Sequence, residues 1–101
     1  SNGETIAEIT DSDERDVDEA VNSASKALRS SWGNLNAAER GRLLFKLSEL
    51  VKNRLDNLAF IESIDVGKPL KQAKNDAIAL ARYFEFYGGA CDKIMGETIP
   101  T

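Results

Sequence analysis

The sequence predicts a mostly α-helical chain whose elements run strand, helix, kinked helix, helix, strand. Three observations carry this reading. Apolar residues recur at three- and four-residue spacing over most of the chain. Capping residues stand where two of these periodic runs begin, and a glycine closes the longer one. Only the two ends, "GETIAEI" at 3–9 and "ETIPT" at 97–101, lack helical spacing.

The opening "GETIAEI" alternates, with Thr5, Ala7 and Ile9 on one side and Ile6 and Glu8 on the other. A short strand after a turn at Asn2-Gly3 is expected. At Asp13 the pattern turns helical. Asp13 is a good N-cap, and Glu14 and Asp16 occupy the first turn, where the helix dipole favours acids. Val17, Ala20, Val21, Ala24 and Leu28 form one apolar stripe. Its residues are mostly small, which permits a close approach by a neighbour. The helix is expected to end near Ser30, with Trp32-Gly33 making the turn.

Asn36 caps the next helix, and Glu39 three residues later completes a capping box. Leu43, Leu44, Leu47, Leu50 and Val51 make its first apolar stripe. Leu55, Leu58, Ala59 and either Ile61 or Ile64 make the next. The two stripes do not join at a constant phase, so a break or kink is expected between Asn53 and Asp56. Gly67 is a natural stop, and Pro69 opens the following helix in its first turn. There Ala73, Ala77, Leu80, Ala81, Phe84, Tyr87 and Cys91 run down one side. Gly88-Gly89 lies inside this run, either weakening the helix or allowing a close contact. Pro100 blocks a further helix. "GETI" at 3–6 recurs at 96–99, which is too short for a repeat.

At 101 residues the chain is one small domain or a stretch of a larger one. Net charge is −4 with both signs mixed, and no basic run exceeds two residues, which argues against nucleic acid as a partner. No apolar stretch approaches the ~20 residues a membrane helix needs. One cysteine and no histidine exclude an internal disulfide, a CxxC pair, a Ser-His-Asp triad and a histidine zinc site from this chain alone. There is no N-terminal Met, and both ends read as cut from a longer protein. A lone cysteine without a signal segment fits the cytoplasm or another reducing compartment.

"ESIDVGKPLKQA" at 62–73 contains a Gly-Lys pair of the kind that ends a phosphate-binding loop. That loop requires Gly, four residues, then Gly-Lys-Ser/Thr. Here Pro69 follows Lys68, Glu62 stands five residues before Gly67, and the preceding segment is helical. The pair is read as a helix stop followed by a helix start, with Lys68 solvated.

"ERGRLLFKLSELV" at 39–51, "ESIDVGKPL" at 62–70 and "YFEFYGGACDKIMGETIP" at 83–100 resemble the aldehyde dehydrogenase superfamily. "GETIAEI" and "ERDVDEAVNSASKAL" fall in the matching order, so the resemblance runs over essentially the whole chain. It implies the N-terminal portion of a protein several times longer. Residues 1–101 would be the helical part of an α/β, Rossmann-like cofactor-binding domain, with no separate second domain. They would pack against a sheet built mostly from later residues. The family oxidises an aldehyde to an acid through a cysteine thiohemiacetal, passing hydride to NAD or NADP. Its nucleophile, general base and cofactor-binding glycines have no matching position here. The implied partners are the rest of the dehydrogenase chain and further copies, in dimers or tetramers.

The family's Asp-x-Gly-Lys-Pro turn matches Asp65 to Pro69. In several members the Asp helps hold a structural monovalent cation. Asp65 is therefore either one ligand of an incomplete cation site or a helix-end hydrogen-bonding residue. Gly89 stands where an aromatic is frequent, Cys91 where Ala is common and Val66 where Asn is frequent. These departures bear on subfamily and substrate.

The remaining candidates have bland readings. Cys91 sits on an apolar stripe with no base nearby and reads as a small core or interface residue. Glu62 and Glu85 read as solvated or salt-bridged. Arg40, Arg42, Lys46, Lys52 and Arg54 read as a solvated face. Tyr83, Phe84, Phe86 and Tyr87 read as a core or subunit contact, with a wall of a substrate tunnel as the alternative. A different class of function also fits: a stand-alone helical interaction module whose stripes at 17–28 and 80–91 close on each other or on another copy.

Overall fold

A computed structural model describes residues 2–100. Five helices run in order: α1 (Glu14–Leu28), α2 (Ser31–Asn34), α3 (Ala37–Asn53), α4 (Leu55–Val66) and α5 (Leu70–Ala90). They fall into two compact units, residues 1–35 and 36–101.

The first unit is α1 and the short α2. The Asp13 side chain accepts the N–H groups of Arg15 and Asp16, and Asp16 in turn accepts the N–H of Asp13 at 2.8 Å. This reciprocal box fixes where α1 starts. The chain leaves α1 after Leu28 and re-enters a single helical turn at Ser31. Gly33 is required there, because a Cβ would overlap the Leu28 carbonyl group. The stripe of Val17, Ala20, Val21, Ala24 and Leu28 is exposed throughout.

The second unit packs α3 and α4 against α5. Asn36 and Glu39 form the expected capping box, each accepting the other's N–H at 2.9 Å. The expected break falls at one residue, Arg54, whose φ and ψ of −117° and 18° leave the helical region between α3 and α4. Gly67 ends α4 in the left-handed conformation at φ 70°. Pro69 stands one position earlier than expected, as the residue preceding the first helical one, and its carbonyl accepts the N–H groups of Gln72 and Ala73. α5 continues unbroken through Gly88-Gly89.

Three expectations are corrected. Neither 3–9 nor 96–100 forms a strand, and no strand occurs among the described residues. A strand exists only by pairing, and these segments meet no ladder partner. The preceding turn is present: the Asn2 side chain accepts the Glu4 N–H at 3.1 Å, and Gly3 has φ 75°. Second, α3 does not bury its leucine stripe. Of the expected stripe Val51 is buried and Leu44 half-buried, whereas Leu43, Leu47 and Leu50 are 41%, 39% and 58% exposed and Gly41 and Ser48 are buried instead. Third, the α5 stripe is buried at its alanines, Ala73, Ala77 and Ala81, and half-buried at Phe84 and Cys91, but Leu80 and Tyr87 are exposed and Gly88 joins the buried set. The core is thus a seam of small side chains, along which helices approach closely, with Ala59 as α4's contribution.

Candidate functional site

Two clusters of polar side chains sit on the seams of the second unit. The first lies at the α4–α5 turn. Gly67 donates its N–H to the Ser63 carbonyl at 3.0 Å, and the Ser63 hydroxyl donates to the Lys68 carbonyl at 2.7 Å. These bonds hold the turn and direct Lys68 back across it. Its ammonium reaches Glu62 at 2.6 Å and Asp76 at 2.7 Å. Lys68 is therefore not solvated. It bridges the last turns of α4 to the first turns of α5, and the two carboxylates, Asp76 foremost, raise its pKa. Beneath it lie Leu58, Ile61, Ala73, Ala77 and Leu80, which line a shallow groove. Lys74 and Asp56 add a second α4–α5 ion pair at 2.8 Å.

The second cluster crosses from α3 to α5. The fully buried Ser48 hydroxyl donates to the Ala81 carbonyl at 2.8 Å. One turn on, Lys52 is bonded to Glu85 and, at 2.9 Å, to Glu49. The Lys52 hydrogen bond is the main cause that holds the Glu85 carboxyl below its ordinary pKa, and the same bond raises Lys52. Glu62 and Glu85 are thus the salt-bridged residues expected, each bonded to a lysine ammonium.

Asp65 lies exposed in the last turn of α4. The structure does not gather other acids around it: among the described residues no group of three or more His, Cys, Asp or Glu side chains is placed to hold a metal. The α4–α5 turn is not a phosphate cradle either. The Gly67 N–H is taken by the Ser63 carbonyl, and two of the three donors of the Lys68 ammonium are taken by Glu62 and Asp76. Cys91 is half-buried past the end of α5, and its thiol donates to the Tyr87 carbonyl at 3.2 Å. The aromatic cluster splits. Phe84 turns partly inward, whereas Tyr83, Phe86 and Tyr87 are exposed and, with Ala79 and Arg82, line an open apolar cavity. Phe86 and Tyr87 meet edge to face at 5.2 Å.

The residues missed from the sequence are Gly41, Ser48 and Asp76. Gly41 and Ser48 are seven residues apart on α3, as are Ala81 and Gly88 on α5. That matched spacing of small residues was the available signal. No helix among the described residues is long and apolar enough to cross a membrane.

Comparison with known proteins places all of these features in one context. A model of the aldehyde dehydrogenase family matches residues 1–101. Retinal dehydrogenase 2 of Homo sapiens is 44% identical over 101 residues, covering 97% of this chain and 20% of its own. An aldehyde dehydrogenase of Aspergillus niger is 41% identical over 101 residues, covering 100% of this chain and 20% of its own. A crystal structure of a Burkholderia cenocepacia protein provisionally named an aldehyde dehydrogenase superposes with a TM-score of 0.93 at 52% identity, over 98% of this chain and 21% of that one. The chain thus spans about a fifth of the length of these relatives.

Proposed function

The chain belongs to the aldehyde dehydrogenase family, and on that premise we propose that it forms the N-terminal helical part of an enzyme that oxidises an aldehyde to a carboxylic acid with NAD or NADP. In this reading the fragment supplies scaffold and no chemistry. Its Glu62 and Glu85 are held in ion pairs, and the Cys91 thiol donates a hydrogen bond to the Tyr87 backbone carbonyl. When bound, the nicotinamide supplies the hydride acceptor, and none of the residues described here is assigned to hold it.

The observation that carries the reading is the match along the entire chain to proteins about five times as long, together with leucine and aromatic faces that this chain leaves uncovered. We assign those faces to contacts with the remainder of the dehydrogenase chain, including a Rossmann-type sheet, and with further copies in a dimer or tetramer. Asp65, at the end of α4, is proposed as one ligand of a structural monovalent cation, the others coming from elsewhere in the full protein. Replacing sodium or potassium by a large organic cation is then expected to lower the melting temperature of the full-length protein, and that of its Asp65→Ala variant much less. An equal loss in both would remove Asp65 from the role.

The main test is an absorbance assay. Purified residues 1–101, given an aldehyde and either cofactor, are expected to yield no reduced nicotinamide, while the full-length protein does. Turnover by the fragment that survives repurification would overturn the reading. A stand-alone helical module is favoured by one feature, the polar and close-packed α3–α5 seam. It requires a sharp melt of the isolated chain that does not change with concentration.

A further inference from the structure

We draw no further inference here: the strongest candidate, the exposed aromatic cavity on α5 lined by Arg82, Tyr83, Phe86 and Tyr87, carries nothing because nothing in the structure shows what covers it.

Discussion

Gly41 and Gly88 meet where α3 crosses α5. A Cβ on Gly41 would lie 2.5 Å from the Gly88 carbonyl oxygen, and one on Gly88 would lie 3.1 Å from the Gly41 carbonyl oxygen. Seven residues along, Ser48 bonds the Ala81 carbonyl, so the two helices run antiparallel in matched register. The close approach is what brings the Ser48 hydroxyl within reach of a main-chain carbonyl on the neighbouring helix.

Gly41→Ala is therefore expected to force the helices apart and to cost about 1–3 kcal/mol, the range for overpacking a tight site. Gly88→Ala should cost less, since its neighbours need move only a few tenths of an ångström. Gly89→Ala is the control. Nothing lies within 4 Å of its Cβ position, and an alanine there, one residue before the end of α5, should stabilise by less than the roughly 0.5–1 kcal/mol of a mid-helix site. Equilibrium denaturation of the three variants should reproduce this order. Equal effects at 41 and 89 would contradict the crossing geometry.

Ser48→Ala removes the hydroxyl that donates to the Ala81 carbonyl across the seam, at an expected cost of about 1 kcal/mol. Ser48→Val should cost more, because the site is fully buried and the extra methyl has no room. A stabilising valine in denaturant titrations would mean that the seam is looser than it is here.

The Lys52–Glu85 pair should shape the pH dependence of stability. Glu85 has a folded pKa below its unfolded one, so its contribution is present above the unfolded value and lost as pH falls through the folded one. Lys52 is raised, so its contribution is present below the unfolded lysine value and lost as pH rises through the folded one. The pair therefore supports the fold across neutral pH and fails at both extremes. Glu85→Gln is expected to flatten the acid limb of a stability–pH curve as pH falls below the ordinary glutamate pKa. An unchanged acid limb would show that the pair is screened out in solution.

Lys68→Ala leaves Glu62 and Asp76, which share one ammonium, facing each other without it. Stability should fall, and added salt should recover part of the loss by screening the two acids. Glu62→Gln placed on top of Lys68→Ala should recover part of it without salt. No recovery by either route would show that Lys68 acts through packing of its stem instead.

The uncovered leucines of α3 give a prediction whose size depends on context. In isolated residues 1–101, Leu47→Ser and Leu50→Ser should scarcely lower the melting temperature and should reduce self-association in sedimentation. In the full-length protein each should cost about 1.5–3 kcal/mol if the face is buried there. Small effects in both settings would argue that this face stays in water.

Gly67 separates strain from space. Its φ of 70° disfavours any side chain, yet nothing lies within 4 Å of a Cβ there. Gly67→Ala should cost about 1–2 kcal/mol through the backbone alone, and Gly67→Asn less, since asparagine visits this conformation more readily.

Local chemistry was legible from the residues. The boxes at Asp13/Asp16 and Asn36/Glu39 and the stop at Gly67 each need only a few consecutive residues to be satisfied, and the break at Arg54 follows from a phase change within one segment. The family, too, was read from runs such as "ESIDVGKPL", because order and spacing survive in the sequence alone. Tertiary structure decided the rest. It chose Gly41 and Ser48, beside the expected Val51, over the leucines as the buried face of α3, since closeness of approach to α5 outweighed side-chain size. It turned Lys68 inward to two acids, one of them eight residues away on the next helix. It left "GETIAEI" and "ETIPT" without strands, because strand formation depends on a pairing partner and these segments, over their described residues, meet none.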